Sequence, residues 1–260
     1  MTNQAGRIVV VTGGASGIGA ASAEVLARDG WKVVVAGHDI ERARLVADRI
    51  KGVAWFIDVA SDDSVAAAAR EIEASVGPVH GLVNSAGILQ KPLTPHQLPM
   101  AEWDRIQAVN FRGAYITSLA FARAMLARRC GSIVNISSVS GSRSMPLHSY
   151  APAKAALISM TQCLAAEWGP ASLRVNSVAP GYTLTPALAG AIERGERQVD
   201  GATSNSPLGQ LVRPEQVGEA VAFLLSDRAS AITGVDLPVD CGWLVGTGWD
   251  MYGGLRKAPA

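Results

Sequence analysis

Short apolar runs typical of buried strands alternate along the chain with segments of helical periodicity, and this alternation constrains the fold more than any other feature. The first run, Arg7 to Val11, leads through a glycine-rich turn into an Ala-rich helix from Ala20 to Arg28. Strands that alternate with helices are joined by right-handed crossovers and pair in parallel. The sequence therefore predicts an α/β fold of one domain over residues 1–260. Its centre is a doubly wound parallel sheet of about seven strands, with helices on both faces.

The bounds of the predicted elements follow from apolar periodicity, caps and turn residues. The predicted strands are Arg7 to Val11, Lys32 to Ala36, Val53 to Ile57, Val79 to Val83, Ser132 to Ile136, Leu173 to Val178 and about Val235 to Val239. The predicted helices are Ala20 to Arg28, Ile40 to Lys51, a Ser61-capped segment to about Val76, a long helix from about Met100 to Arg128, and Pro214 to Leu225. A further helix begins close to Ser149, because Pro152 is tolerated only in a helix's first turn. A polar segment runs from the turn at Ala179 to Tyr182 to about Gly209.

The charge balance argues against two classes of partner. The chain has 23 Lys and Arg against 22 Asp and Glu, which gives a net charge of +1. This offers no electrostatic footprint for nucleic acid and no basic face for an anionic membrane surface. With 260 residues, of which 48% are hydrophobic, the chain is long enough to bury one sizeable core.

Cysteine usage and the N-terminal sequence bear on the compartment. Cys130, Cys163 and Cys241 are widely spaced and form no CxxC pair or metal-ligand cluster. We therefore expect neither a disulfide framework nor a metal site, and we interpret the three as buried thiols in a reducing compartment. No charged leader with an apolar export segment precedes the first strand, and no apolar run approaches membrane-spanning length. These observations predict a soluble, cytoplasmic protein.

A glycine-rich turn joins the first strand to the first helix. The segment from Thr12 to Gly19 reads TGGASGIG. A strand, a glycine turn and a helix bring backbone N–H groups and the positive end of a helix dipole to one point, which suits a pyrophosphate. The spacing is Gly-x-x-x-Gly-x-Gly and differs from the better-known Gly-x-Gly-x-x-Gly. A glycine turn without a ligand is the alternative interpretation.

Lys154 stands four positions after Tyr150, a spacing that places a phenol and an ammonium on one helix face. A free tyrosine holds its proton up to a pKa of about 10, and a neighbouring positive charge favours the phenolate. Ser138 follows an apolar strand and could hydrogen-bond the oxygen that Tyr150 protonates or deprotonates. Taken alone, Tyr-x-x-x-Lys also fits an ordinary amphipathic helix surface.

The candidate motifs share one position in the predicted fold. Each falls at the carboxyl end of a strand, where ligands bind in doubly wound sheets. They are the glycine turn, Asp58, Asn84, Ser138 and Pro180. Their coincidence at one edge argues against separate chance matches.

Together and in order, these motifs resemble a known family. The chain is similar to the short-chain dehydrogenases/reductases over almost everything from Arg7 to Gly242, and the resemblance is carried by Thr12 to Gly19, Asn84 to Gly87, Asn110, Ser138, Tyr150, Lys154 and Pro180-Gly181. It implies a Rossmann-type fold with a nicotinamide dinucleotide across the strand ends. It further implies hydride transfer between that cofactor and a carbinol or carbonyl carbon, and a homotetramer or homodimer.

The resemblance also implies roles for individual residues. Tyr150 is the general acid/base, and Lys154 lowers its pKa while hydrogen-bonding the nicotinamide ribose. Ser138 holds and polarises the substrate oxygen, and Asn110 kinks its helix to seat a water that relays protons from Lys154. The implied dinucleotide contacts are Gly13, Ser16, Gly17, Ile18, Gly19, His38, Asp39, Asp58, Val59, Asn84, Ala86, Gly87, Tyr150, Lys154, Pro180, Gly181, Thr183 and Thr185. Asp58 and Val59 would meet the adenine, with a helix cap as the alternative for Asp58.

The identity of the catalytic serine depends on how the loop before Tyr150 is counted. Ser137 has the family's usual spacing, and Ser138 stands one residue closer to the tyrosine. We predict Ser138, because the residues from Ser138 to Gly141 match the family's Ser-x-x-Gly. A deletion between Ser142 and Ser149 would explain the shorter count.

The choice between NAD and NADP depends on the segment from Ala36 to Asp39, which reads AGHD. In this fold an acidic group here accepts hydrogen bonds from the ribose hydroxyls of NAD, while arginine or lysine binds the phosphate of NADP. Gly37 occupies the usual acidic position, and His38 stands where arginine is common with NADP. Because Ser16 is not basic and Asp39 would repel a phosphate if it turned inward, we expect NAD, with NADP as the alternative.

Substrate contacts are implied in the loop from Ser140 to His148, beside Tyr182, and in a lid segment at residues 183–209. The polar candidates are Ser138, Ser140, Arg143, His148 and Tyr182, and the apolar ones are Met145, Leu147 and Leu184. Arg143 and His148 also fit an exposed loop surface. The polar balance favours a small hydroxylated substrate such as a polyol or sugar alcohol.

The C-terminal extension, residues 243–260, runs past the family's usual end and is rich in aromatic residues. Trp243, Trp249 and Tyr252 predict either docking on a neighbouring subunit or packing on their own subunit.

The sequence therefore predicts an oxidoreductase that transfers a hydride between NAD(P) and a secondary alcohol or ketone. One alternative is an NADPH-dependent carbonyl reductase of the 3-oxoacyl carrier-protein type. The other, from a different class, is a non-catalytic regulatory protein that senses the dinucleotide. Such a protein has no need of Tyr150, Lys154, Ser138 and Asn110 together.

Overall fold

The computed structural model describes residues 6–195 and 199–256, and within them one parallel sheet organises the chain. Its strands are β1 (Ile8–Thr12), β2 (Lys32–Gly37), β3 (Val53–Phe56), β4 (Val79–Asn84), β5 (Gly131–Ile136), β6 (Leu173–Pro180) and β7 (Asp236–Val239). Their order in the sheet is β3-β2-β1-β4-β5-β6-β7. The predicted doubly wound sheet of seven parallel strands is confirmed.

Helices connect the strands on both faces of this sheet. They are α1 (Gly17–Arg28), α2 (Ile40–Ile50), α3 (Asp62–Ser75), α4 (Met100–Gln107), α5 (Gly113–Arg128), α6 (Tyr150–Trp168), α7 (Pro186–Glu193), α8 (Asp200–Ser204), α9 (Pro214–Leu225) and α10 (Trp243–Gly246). A π-helical turn, Ala108–Arg112, joins α4 to α5.

Alternating strand residues supply two apolar cores. Val10 of β1 packs with α3, α5 and α6 on one face, whereas Val9 and Val11 pack with α1, α2 and α9 on the other. Successive side chains of a strand point to opposite faces, so a strand covered on both sides must be apolar throughout. This explains why β1 reads IVVVT and why all five of its residues are buried.

Most predicted elements agree with the structure to within one or two residues, and two differ for physical reasons. The long helix from Met100 to Arg128 is interrupted at its middle by the π turn that carries Asn110. The polar segment before Gly209 contains two short helices, α7 and α8. Thr185 caps α7 by accepting a 3.3 Å hydrogen bond from the N–H of Leu188. Residues 196–198 of the proposed lid lie outside the described residues.

The prediction that the cysteines are buried thiols was wrong. Cys130 and Cys163 are exposed, and Cys241 is partly exposed. Cys130 lies in the turn after α5, and Cys163 falls outside the buried stripe of α6. Among residues 6–195 and 199–256, no group of three or more His, Cys, Asp or Glu side chains is placed to hold a metal ion. No helix in that same part of the chain is long and apolar enough to cross a bilayer.

The register of the central strands brings the sequence motifs to one edge. Thr12 at the end of β1 pairs with Ala36 of β2 and with Asn84 of β4, and Asn84 pairs with Asn135 of β5. The segments that follow these residues therefore meet above the carboxyl end of the sheet.

Candidate active site

The glycine turn after β1 is packed too closely for side chains. A Cβ built at Gly13 would lie 2.7 Å from the backbone nitrogen of Ala86, and one at Gly19 would lie 2.2 Å from the Gly13 carbonyl oxygen. Gly13 also has a φ of +65° and Gly17 a φ of +53°, in the region that favours glycine. The turn is thus pressed against the loop that follows β4.

The N-terminus of α1 forms an open cradle above this turn. Ser16 is the N-cap, but its exposed hydroxyl makes no capping hydrogen bond. A Cβ at Gly17 would meet only the side chain of Thr185, at 3.4 Å from Cγ2. The first N–H groups of a helix have no intrahelical partner, so those of Gly17, Ile18 and Gly19 are available at the cradle. Backbone donors and a helix dipole at one point suit a phosphate.

At the end of β2, the structure leaves space where the sequence predicts the adenosine ribose. A Cβ at Gly37 would meet no atom of the described chain within 4 Å, and His38 is exposed. Asp39 caps α2: its Oδ1 accepts a 3.1 Å hydrogen bond from the N–H of Arg42. Its Oδ2 also lies 3.2 Å from the Arg42 Nε. The Asp39 carboxylate is therefore engaged at the helix start.

Asp58 and Val59 follow β3 at this edge, where the family resemblance implies contacts with the adenine. Asp58 Oδ1 accepts a 2.9 Å hydrogen bond from the N–H of Ala60. Ser61 caps α3 by accepting from the N–H of Ser64 at 3.3 Å, so the helix-cap alternative for Asp58 was wrong. Val59 is buried and lies against Gly113 at the start of α5.

The loop after β4 borders the cleft with its backbone. The Asn84 side chain points into the protein, where its Nδ2 donates to Ser118 Oγ at 2.9 Å and to Asn135 Oδ1 at 2.8 Å. The N–H of Ala86 donates to the Thr12 hydroxyl at 3.4 Å, which ties the loop to β1. Gly87 is exposed.

Asn110 holds this loop from the π turn. Its Oδ1 accepts from the N–H of Ile88 and its Nδ2 donates to the Ile88 carbonyl, both at 2.8 Å. A Cβ at Gly87 would lie 3.2 Å from Asn110 Oδ1 and 3.9 Å from Lys154 Nζ. The structure thus brings Asn110, Gly87 and Lys154 together, and Asn110 is buried by these contacts.

Tyr150 and Lys154 lie on one face of the first turns of α6. Lys154 Nζ is 5.5 Å from the centroid of the Tyr150 ring and donates a 2.7 Å hydrogen bond to the carbonyl of Ile136. Burial lowers the pKa of Lys154 to about 8. Burial raises the pKa of Tyr150 above its usual value, and a hydrogen bond from Ser138 acts in the opposite direction.

The structure separates the two candidate serines. The Ser138 side chain faces the Tyr150 phenol and acts to lower the pKa of that group. Its Oγ also accepts from the Ser140 hydroxyl at 3.0 Å and from the Ser140 N–H at 3.2 Å. Ser137 points away from this site, because its hydroxyl donates to the Val178 carbonyl at 2.9 Å and to Asp236 Oδ1 at 2.6 Å.

The segment after β6 closes the end of the cleft at the start of α1. Pro180 ends β6, and a Cβ at Gly181 would lie 2.8 Å from the Cα of Asp240. Thr183 is buried, donates to the Gly181 carbonyl at 3.0 Å and forms an isolated bridge with Val212. These contacts place Thr185 over Gly17.

The remaining predicted substrate residues are more dispersed. Arg143 and His148 are exposed and line an open cavity of about 440 Å³. Tyr150 is not among the residues that line it. Arg143 Nη2 donates to the Leu244 carbonyl at 3.0 Å. Tyr182 packs edge-on against Trp243, with ring centroids 5.5 Å apart.

One residue at the site carries no sequence motif. Gln90 is 2% exposed, and its Oε1 accepts hydrogen bonds from the N–H groups of Ser149 at 2.8 Å and Tyr150 at 3.1 Å. The only signal in the sequence is its place shortly after the Asn84–Gly87 loop. A contact between residues sixty positions apart is not encoded by local spacing.

Comparison with known proteins identifies the family. A family model described as enoyl-(acyl carrier protein) reductase matches residues 13–244, which include the glycine turn and the Tyr150 helix. The cis-4-hydroxycyclohexanecarboxylate dehydrogenase of Sinomonas cyclohexanicum is 40% identical over 243 residues, covering 91% of this chain and 96% of that protein. This chain belongs to the short-chain dehydrogenase/reductase family.

Two further relatives of this short-chain dehydrogenase/reductase are informative. The galactitol 2-dehydrogenase of Rhizobium johnstonii is 37% identical over 245 residues, covering 92% of this chain and 95% of that protein. A solved structure described as ribose-5-phosphate isomerase from Brucella melitensis 16M is 50% identical, with a TM-score of 0.96 and coverage of 98% of this chain and 99% of that one.

These similarities confirm the predicted family and the predicted class of reaction. The chain is an oxidoreductase of the short-chain type that acts on secondary alcohols. Members of this family use NAD or NADP.

Proposed function

We propose that this chain is an NAD(P)-dependent dehydrogenase that interconverts a secondary alcohol and a ketone in a small polyol or sugar-like substrate. The observation that carries the proposal is the group formed by Ser138, Tyr150 and Lys154 at the carboxyl edge of the sheet. The similarity to a galactitol 2-dehydrogenase supports a polyhydroxylated substrate.

The residues at the strand ends suit a nicotinamide dinucleotide. The cradle at α1, with Ser16 and Thr185 beside the free N–H groups of its first turn, fits a pyrophosphate. The backbone of the Ala86–Gly87 loop, held by Asn110, would border the nicotinamide. When bound there, the dinucleotide supplies the acceptor or donor of the hydride.

Tyr150 is proposed to move the proton of the substrate hydroxyl. In oxidation the phenolate oxygen takes this proton as the hydride leaves the carbinol carbon, and in reduction the phenol returns it. Since burial raises the pKa of Tyr150, the phenolate needs an opposing influence near neutral pH. The Lys154 ammonium and the Ser138 hydroxyl provide it, because a positive charge and a donated hydrogen bond both favour the charged form.

Ser138 is proposed to orient the substrate oxygen. Its Oγ accepts two hydrogen bonds from Ser140, so its own proton is left to be donated toward the site. Ser140 thereby acts through Ser138.

For Asn110 we propose that the side chain positions the nucleotide loop through Ile88. The proton-relay water that the family resemblance implies at Asn110 stays a prediction.

The proposed nucleotide is NAD, and one observation favours NADP as a second candidate. We prefer NAD because Ser16 is not a basic residue and because the negative charge of Asp39 disfavours a phosphate. Arg42 pairs with that carboxylate, which balances its charge at the ribose end. With His38 exposed and Arg42 next to Asp39, the phosphate of NADP is the second candidate ligand at this end.

For the assembly we propose a homotetramer, or a homodimer, in the cytoplasm. Tyr115 and Leu119, one turn apart on α5, are 41% and 42% exposed, as expected of a helix face that packs against another subunit. Trp243 packs on its own subunit against Tyr182. Docking on a neighbour is therefore proposed only for the tail after Gly246, where Tyr252 is 87% exposed.

Arg143, His148 and Tyr182 stay proposed substrate contacts, with residues 183–209 as the lid. Arg143 ties its loop to the C-terminal turn through Leu244, so these two segments would bound the substrate from one side.

A panel of oxidisable and reducible compounds tests the proposal. The wild-type chain would be assayed with galactitol, cis-4-hydroxycyclohexanecarboxylate, a lipophilic ketone and a 3-oxoacyl thioester, each with both nucleotides. We expect the hydroxylated compounds to be turned over, and Tyr150→Phe to lose nearly all turnover while it still binds dinucleotide. Turnover of only the lipophilic ketone or the thioester would overturn the substrate class.

With ribose 5-phosphate added to the panel, two further results would overturn the reaction class. The first is isomerisation of ribose 5-phosphate without any dinucleotide, which would follow the description of the similar Brucella protein. The second is dinucleotide binding with no turnover of any compound, which would favour the regulatory alternative.

A further inference from the structure

The start of α6 lacks the cap that its own sequence offers. Ser149 is the N-cap residue, yet its side chain makes no capping hydrogen bond. Its hydroxyl instead donates to the Trp103 carbonyl at 2.9 Å and accepts from Gln107 Nε2 at 3.1 Å. A serine at this position usually accepts from the N–H of the second or third helical residue. The cap of α6 must therefore come from elsewhere.

The donors of the first turn show where it comes from. The N–H of Ala151 donates to the Leu147 carbonyl at 2.9 Å, and that of Ala153 donates to the Ser149 carbonyl at 3.0 Å. Pro152 has no N–H to satisfy. The N–H groups of Ser149 and Tyr150 both donate to a single atom, Gln90 Oε1.

Gln90 occupies this place at a cost. Its Nε2 is buried and has no hydrogen-bond partner in the part of the chain that the structure describes. A buried donor left unpaired typically costs about 1 to 3 kcal/mol. The amide cannot be turned over, because its nitrogen would then face two N–H donors. The two hydrogen bonds that Gln90 Oε1 accepts from Ser149 and Tyr150 therefore explain the orientation of the Gln90 amide.

Gln90 belongs to the same loop that Asn110 holds. It lies two residues after Ile88, whose N–H and carbonyl both form hydrogen bonds with the Asn110 amide. The loop from Ala86 to Gln90 therefore touches the nucleotide cleft at one end and the backbone of Tyr150 at the other.

We propose that Gln90 is a positioning residue, which fixes the backbone of Tyr150 relative to the nucleotide loop through its side-chain oxygen. The proposal rests on the proposed function, in which the Tyr150 phenol must reach the substrate oxygen. A displacement of about 1 Å at a reacting group can cost on the order of a hundredfold in rate. Anchoring the first residue of α6 limits that displacement.

Three variants test this role. Gln90→Leu removes the acceptor, Gln90→Glu keeps an oxygen at the same reach, and Gln216→Leu is the matched control. Gln216 Oε1 caps α9 by accepting from the Arg213 N–H at 2.9 Å, so the control makes the same change at a helix on the opposite face of the sheet. Gln90→Asn, with a shorter side chain, replaces Gln90→Leu if the latter does not fold.

Amide hydrogen exchange and kinetics are measured on the same preparations, with the alcohol selected by the substrate panel. Gln90→Leu should exchange the amides of Ser149 and Tyr150 roughly tenfold faster or more. It should lower kcat by roughly tenfold or more, with the KM for dinucleotide within about twofold of wild type. Gln90→Glu should restore kcat, with its pH profile moved upward because a nearby negative charge raises the pKa of Tyr150. Gln216→Leu should match wild type in both measurements.

Wild-type exchange and kcat in Gln90→Leu, or a Gln90→Glu enzyme as impaired as Gln90→Leu, would overturn the proposal. A wild-type chain that turns over no alcohol defeats the proposed function. In that case unchanged exchange at Ser149 and Tyr150 in Gln90→Leu defeats the anchoring role as well, and faster exchange retains it.

Discussion

Lys154 Nζ lies 5.5 Å from the ring centroid of Tyr150 and is held there by a 2.7 Å hydrogen bond to the carbonyl of Ile136, at the end of β5. The anchor fixes the ammonium relative to the sheet, while Gln90 anchors the first residue of α6. The Lys154 ammonium and the Tyr150 backbone are thus held by two different segments, the end of β5 and the loop after β4, which meet at one edge. This arrangement leads to the first prediction.

Lys154→Met is expected to move the pH dependence of alcohol oxidation. Burial raises the pKa of Tyr150, and without the ammonium the phenolate would form only at higher pH. The acid limb of kcat/KM should therefore shift upward by about one pH unit or more, with turnover at neutral pH reduced. Since burial lowers the pKa of Lys154 to about 8, the wild-type benefit should fade as pH rises through that value. A wild-type profile in Lys154→Met would rule out the ammonium's role.

The two serines are expected to differ in what they support: Ser138→Ala should lower kcat, and Ser137→Ala should lower the stability of the fold. Loss of the Ser138 hydroxyl removes the one proton that this side chain can donate to an oxygen in the site, so kcat should fall by roughly a hundredfold. Ser137 binds the Val178 carbonyl and Asp236, so its loss should lower the free energy of unfolding by about 1 to 3 kcal/mol with kcat retained. Steady-state kinetics and chemical denaturation of both variants provide the measurement. Loss of turnover in Ser137→Ala alone would reverse the assignment.

Arg42→Ala is expected to change the preference between the two nucleotides. Arg42 balances the Asp39 carboxylate, with Nε 3.2 Å from Oδ2. Without it, the free charge should repel the phosphate of NADP and accept hydrogen bonds from the ribose of NAD. The ratio of kcat/KM for NAD to that for NADP should rise by roughly threefold or more, given the modest strength of exposed ion pairs. Arg44→Ala, which breaks a pair with Glu41 on the same helix, is the control and should leave the ratio unchanged.

The fold was predictable because its signal is local. The central strands β1, β2, β4, β5 and β6 are buried along most of their length, so apolar runs such as Ile8 to Val11 indicate strands. Ser138, Tyr150 and Lys154 were predictable because one helix and one strand end carry them.

The features that were missed depend on single residues or on distant contacts. The family resemblance implies a kink at Asn110, but its form, a π turn that adds one residue, does not show in the otherwise regular periodicity of the helix. Helix α7 has no fully buried residue, and its sequence PALAGAIE is apolar on nearly every side, so it shows no amphipathic periodicity, although Thr185-Pro186 is a cap and first-turn signal. Gln90 contacts Tyr150 across sixty residues of chain, and neither its residue type nor its distance from Tyr150 in the sequence indicates a cap for α6.

Acidification is expected to destabilise the protein through His80, at the opposite edge of the sheet from the active site. Burial is the main cause that lowers the pKa of His80, and the charges of Arg128 and Arg7 act in the same direction. Its Nδ1 accepts a 3.3 Å hydrogen bond from the N–H of Ile8, and protonation of Nδ1 would remove this bond. The unfolded chain binds a proton at His80 more readily than the native chain does. The contribution of His80 to the free energy of unfolding is therefore complete above the unfolded pKa of about 6.5 and declines as pH falls below it. Thermal unfolding of wild type and His80→Gln between pH 8 and 5 should therefore show a smaller loss of Tm in the variant. His96→Gln, at an exposed histidine, should keep the wild-type slope. Equal slopes in all three proteins would assign the acid sensitivity to other groups.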